Sequence, residues 1–85
     1  MSYSVEISKK AKKYIAKQSA PTIRRLVAAI DKIIEDPVGS GERLTNHETA
    51  YKFRVGAFRI LYDVYSDQLI VHVVKVYNRG DVYKK

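Results

Sequence analysis

Residues 51–59, YKFRVGAFR, alternate large apolar side chains with cations on both sides of a glycine, and that pattern admits one local structure with two unlike faces. Side chains alternate across a strand, and a two-residue loop at Gly56 and Ala57 predicts Val55 opposite Phe58, Arg54 opposite Arg59 and Phe53 opposite Ile60. Tyr51, Phe53, Val55, Phe58, Ile60 and Tyr62 then share one face, while Lys52, Arg54 and Arg59 share the other. Like charges set side by side destabilise a hairpin, so this cluster of cations asks for an anion that neutralises it.

The rest of the chain supplies layers for that hairpin to pack against. Tyr3, Val5 and Ile7 alternate with polar residues, which predicts a short half-buried strand, and Ser8 offers a helix N-cap. Over residues 9–18, Ala11, Tyr14 and Ile15 recur at helical spacing among Lys9, Lys10, Lys12, Lys13 and Lys17, the pattern of a basic amphipathic helix. Pro21 suits a first helical position, and Ile23, Leu26, Val27, Ile30, Ile33 and Ile34 form the apolar stripe of a second helix. Pro37, Gly39 and Gly41 end it and open a polar loop to about Thr49. After the hairpin, Ser66 and Asp67 mark a turn, and residues 68–76, QLIVHVVKV, read as a buried strand apolar on both faces. The tail 77–85 is polar, with Gly80 as a turn.

The fold class is therefore α+β, in the order β-α-α-β-β-β, with a helical hairpin on one face of a small, mainly antiparallel sheet. The helices must cover the face of Phe53, Val55, Phe58 and Ile60, because burying each large apolar side chain is worth about 1.5 to 3 kcal/mol. The other face is left open, with Lys52, Arg54 and Arg59 on it. A second turn through Ser66 and Asp67 sets His72 opposite Leu61 on that face and Arg79 just past the strand's end.

Composition narrows the function further. The chain has 85 residues, enough for one small domain, so any site is a groove or a sheet face. The net charge of +7 suits a polyanionic partner, and the absence of cysteine excludes disulfides, zinc ribbons, iron–sulfur clusters and thiol nucleophiles. His47, beside Glu48, has no second spaced histidine and makes no metal motif. No segment approaches the roughly 18 apolar residues of a membrane span, and the N-terminus lacks a signal-type apolar run, so a cytoplasmic protein without membrane contact or cofactor is expected.

The hairpin AYKFRVGAFRILYDV, the loop beginning at Leu44, the IVHVVKV strand and a C-terminal Arg followed by Tyr resemble the RelE/ParE toxin superfamily, and more closely its RelE branch of ribosome-dependent mRNA interferases. The resemblance covers nearly the whole chain, as a single RelE-like toxin domain over 1–85. It implies the toxin of a type II toxin–antitoxin pair, cutting mRNA in the ribosomal A site without a metal and neutralised by an acidic RelB-like antitoxin. It places the functional set on Lys52, Arg54, Arg59, Arg79 and Tyr83. Well-known members carry Lys where this chain has Arg54, and the interval from Arg79 to Tyr83 is shorter here.

Metal-independent RNA cleavage deprotonates a ribose 2′-OH, lets it attack the adjacent phosphorus, and stabilises the added negative charge until the 5′-oxygen leaves. Arginines at positions 59 and 79 suit the phosphoryl oxygens, each well-placed donor contributing about 3 kcal/mol. Arg54 keeps its proton at any working pH, so it grips phosphate rather than shuttling protons. Lys52 is the candidate for proton transfer, since neighbouring cations favour its neutral amine. Tyr83 could stack on a base or share that transfer, and His72 is a further candidate base. The lysines of the first helix are a solvated face or a grip on ribosomal RNA phosphates. Two other readings share the architecture: a ParE-like inhibitor that binds DNA gyrase, and an RNA- or ribosome-binding module that does not cut.

Overall fold

The computed structural model describes residues 3–82. Its hairpin pairs strand β3 (Ala50–Val55) with β4 (Phe58–Tyr65) in the expected register, Val55 to Phe58, Arg54 to Arg59 and Phe53 to Ile60. Glycine is required at the turn: Gly56 has φ 57°, and a Cβ there would lie 2.6 Å from Nη2 of Arg25.

Strand β1 (Ser4–Ile7) leads into α1 (Lys9–Ala16), and α2 (Ala20–Glu35) follows. Each helix begins on a serine: Ser8 accepts from the Ala11 N–H at 3.0 Å, and Ser19 accepts from the Thr22 N–H at 3.4 Å. Leu26, Ile30 and Ile33 of the α2 stripe are buried together with Ala29, whereas Val27, which the spacing also put in the stripe, turns to solvent at 47% exposed; Ala11 is the buried residue of α1. The lysines of α1 all point to solvent.

The sheet has five strands in the order β1-β5-β4-β3-β2. Here β2 is the two-residue Glu42–Arg43 and β5 is Ile70–Asn78. β1 runs parallel to β5, and the other neighbours are antiparallel. Tyr51, Ile60, Tyr62, Val64, Val71, Val73 and Val76 meet the helices to form the core, with Phe53, Val55 and Phe58 partly buried around it. Helices on a mainly antiparallel sheet make this an α+β fold, with one sheet face covered and one open.

Four further details depart from the sequence reading. The segment after α2 is not a plain loop: Pro37–Ser40 forms a helical turn, α3, capped by Asp36, and Glu42–Arg43 pairs with Lys52 and Tyr51. The second hairpin closes through four residues, 66–69, with Leu69 at φ 54°, so β5 starts at Ile70 and extends to Asn78. Arg79–Val82 then forms a last helical turn, α4.

The fourth is a bulge. Leu61 pairs with Lys75 but Tyr62 pairs with Val73, leaving Val74 as the extra residue. His72 consequently faces Asp63, not Leu61. Val74 is 40% exposed, so β5 is not apolar on two buried faces, and the central strand is β4. Ser8 holds the bulge in place: its hydroxyl donates to the Val74 carbonyl at 2.7 Å while its N–H donates to Val73 at 2.9 Å. One serine thus caps α1 and satisfies the backbone that the bulge frees from the ladder.

Candidate functional site

Pairing across the strands turns the open face into rows of side chains. One row runs Glu42, Lys52, Leu61 and Lys75; the next runs Arg54, Arg59 and Tyr77; a third runs Ala50, Asp63, His72 and Glu6. Charge is therefore segregated. The end toward the Gly56 turn is basic, and the end toward β1 holds His72 between two carboxylates.

Lys52, Arg54 and Arg59 are brought together as their alternation predicts, with Arg54 and Arg59 directly opposed. Arg79 joins them through the backbone: its N–H donates to the carbonyl of Ala57 at 2.7 Å, fixing the end of β5 to the hairpin turn. His72 does not join them, since it sits in the row shared with Asp63 and Glu6. Asp63 is itself held by the Thr49 hydroxyl, which donates to its Oδ1 at 3.1 Å. Tyr83 lies outside the described residues. His47 is exposed in the turn after Leu44.

Two residues enter the site that sequence reasoning passed over. Glu42, on β2, lies on the same face as Lys52, with its Oε1 3.9 Å from Nζ. The anion that the cation cluster demands is thus partly supplied from within, by a mostly exposed carboxylate whose pairing is weak in water. The second is Arg25, whose guanidinium reaches the Gly56 turn from α2. Neither could be read from spacing. Glu42 depends on a two-residue strand too short to show a period, and Arg25 is one cation on a solvated helix until the fold sets it against the turn.

Two concavities among the described residues meet at Phe53 and Arg54. One, of about 320 Å³, is lined by Ser40, Gly41, Glu42, Lys52, Phe53 and Arg54. The other, about 590 Å³ and more apolar, lies between α2 and the β3 edge, with Arg25, Ala29 and Lys32 facing Phe53, Arg54 and Val55. Close approach shapes the first: Gly41 lies so near the Tyr62 hydroxyl that a Cβ there would overlap it, which lets residues 40–42 lie flat against β3. The arrangement suits a phosphodiester, with paired guanidinium donors for its oxygens and a lysine–carboxylate pair beside them. Among the described residues no group of three or more His, Cys, Asp or Glu side chains is placed to hold a metal ion. No helix among them is long and apolar enough to cross a membrane.

Comparison with known proteins matches the chain and its fold to a family. The chain is similar to the RelE1 protein of Methanocaldococcus jannaschii, 26% identical over 88 residues that span 99% of this chain and 98% of that one. Its fold is similar to the toxin–antitoxin complex RelBE2 of Mycobacterium tuberculosis, with a TM-score of 0.82, 21% identity, and coverage of 93% of this chain and 100% of that chain. The RelE–RelB complex of Pyrococcus horikoshii aligns with a TM-score of 0.78 and 24% identity over 94% of this chain and 98% of that chain. The model of the ParE toxin of type II toxin–antitoxin systems matches residues 5–83. With nearly its whole length matched and its fold shared with RelE proteins, the chain belongs to the RelE/ParE family of type II toxin–antitoxin toxins.

Proposed function

We propose that this toxin is a metal-independent endoribonuclease that cuts mRNA in the ribosomal A site. The observation that carries this reading is the open sheet face, where Lys52, Arg54 and Arg59 cluster and Arg79 is tied to the same turn. The scissile phosphate sits on this face with its oxygens on Arg54, Arg59 and Arg79. The 2′-hydroxyl gives up its proton and its oxygen bonds to phosphorus; the bond to the 5′-oxygen breaks, leaving a 2′,3′-cyclic phosphate, and the departing oxygen takes a proton. Lys52 is the protein group for proton transfer, released from Glu42 as the phosphate arrives. Tyr83 completes the set by positioning the substrate. The α1 lysines, all exposed, engage ribosomal RNA phosphates.

The partner that restrains it is an acidic RelB-like antitoxin, as the complexes formed by its structural relatives suggest. Expression beside its neighbouring gene should bring down a small acidic protein; recovery of the toxin alone would count against that partner.

The match to the ParE family model favours a second reading, a toxin that binds DNA gyrase without cutting RNA. Programmed ribosomes decide between the two. Mapping of mRNA ends is expected to show cuts within the A-site codon. Intact message together with gyrase-dependent DNA breaks would overturn the nuclease reading.

A further inference from the structure

The open face carries an aromatic ring that the phosphate chemistry leaves unused. Tyr77 is the register partner of Arg59, which is in turn the partner of Arg54, so two guanidiniums and a phenol form one row across three adjacent strands. Directly opposed side chains in a sheet sit about 4.5 to 5.5 Å apart at Cβ. A phosphate on the arginines therefore brings its own nucleotide's base within reach of the ring. Tyr77 is partly exposed, and the exposed Lys75 holds its ammonium 5.3 Å from the ring centroid. A ring that accepts an ammonium over its face is open at that face.

We propose that Tyr77 is the stacking platform for the nucleobase next to the phosphate held by Arg54 and Arg59. This rests on the RNA reading given above. The base takes the place of the Lys75 ammonium, which is free to swing to the backbone phosphate. Phosphate contacts alone position a strand without reading it, whereas a base stacked on a sheet aromatic is held by its own surface. Charge on the face sets the direction of the path. Asp63 and Glu6 flank His72 at the far end and repel a phosphate backbone, so the strand crosses from Arg54 over Arg59 to Tyr77 and leaves toward Arg79.

The test uses the intact toxin and two uncleavable strands of equal length: a 2′-O-methyl tetranucleotide carrying one 2-aminopurine, and the same backbone made of abasic spacers. The wild type is expected to bind the base-bearing strand roughly tenfold more tightly than the spacer strand and to quench the 2-aminopurine on binding. Tyr77→Leu should remove both the preference and the quenching without changing affinity for the spacer strand, and Tyr77→Phe should retain both. A preference unchanged in Tyr77→Leu, or lost in Tyr77→Phe, overturns the role of Tyr77 and leaves the phosphate reading standing. Spacer-strand affinity that is the same in wild type and Arg59→Ala overturns the phosphate reading itself, and the role of Tyr77 with it.

Discussion

Tyr62 donates its phenolic proton to the carbonyl oxygen of Pro37 at 2.7 Å, joining the central strand to the helical turn after α2. The ring is stacked on Tyr51, with centroids 5.7 Å apart and planes 16° from parallel. It is 1% exposed. This bond ties α3 to the sheet, and Gly41 and Glu42, which follow α3, lie beside Lys52, so a core tyrosine helps to shape the floor of a surface site.

That bond has a signature at high pH. Burial first, and then Tyr51 and Asp36, push the Tyr62 phenol from 10.0 up to about 12. Below pH 10 the phenol is protonated whether the chain is folded or not, and its stabilisation is complete. Between pH 10 and 12 the unfolded chain loses this proton while the folded chain keeps it, so stability falls by about 3 kcal/mol across the interval. Denaturant unfolding should show Tyr62→Phe less stable than wild type by about 1 kcal/mol at neutral pH, for want of the hydrogen bond. The gap should narrow or reverse by pH 12. A gap that stays constant from pH 8 to 12 contradicts the assigned shift.

For the arginines the expectation is a loss of rate without loss of fold. Arg59→Ala and Arg79→Ala should each lower cleavage on programmed ribosomes by about 10²-fold or more, with unchanged far-ultraviolet dichroism. Full growth arrest by either variant would show that the site is misplaced.

Lys52→Arg separates charge from proton transfer. The variant keeps a cation at the same register position but cannot give up its proton. Single-turnover cleavage should drop by about 10² while RNA affinity stays within about twofold. An unchanged rate would remove Lys52 from the proton-transfer step.

Glu42→Gln tests the internal anion. Freeing Lys52 from its carboxylate should tighten binding of an uncleavable RNA a few-fold at low salt, with the gain fading as salt is added. A fall of about 10² in the single-turnover rate with affinity unchanged would instead make the carboxylate the proton acceptor.

In the core, Ile60→Ala removes a side chain with no exposed surface from the central strand. It should cost about 2 to 5 kcal/mol in urea unfolding, most of it from the cavity left behind. A loss below 1 kcal/mol would mean that the helices close over the gap.

What could be read from the chain was what is local. The 51–59 hairpin was legible to the residue because its alternation, its glycine and its two-residue turn all specify the same register, and the Ser8 cap and most of the α2 stripe were also plain, Val27 excepted. The position of His72 was not. It depends on the Val74 bulge, stabilised by Ser8 from 66 residues away, and an apolar run gives no sign of which residue will be left over. Of the site, the cations on the hairpin were visible as a pattern, whereas Glu42, Arg25 and the Arg59–Tyr77 pairing come from tertiary neighbours that no spacing encodes.

The parallel pairing of β1 with β5 has a bearing on when this molecule comes into being. Ser4 lies in register with Ile70 and Ile7 with Val73, so β1 can find its place only after β5 has emerged. Such distant closure is slow and entropically costly until the contacts that reward it exist. β5 also delivers Val71, Val73 and Val76 to the core, Tyr77 to the basic row and Arg79 to the turn. A chain cut short before β5 would carry the 50–65 hairpin but neither a closed sheet nor a finished cation face. Closure of the sheet and completion of the cation face therefore wait on the same strand, β5.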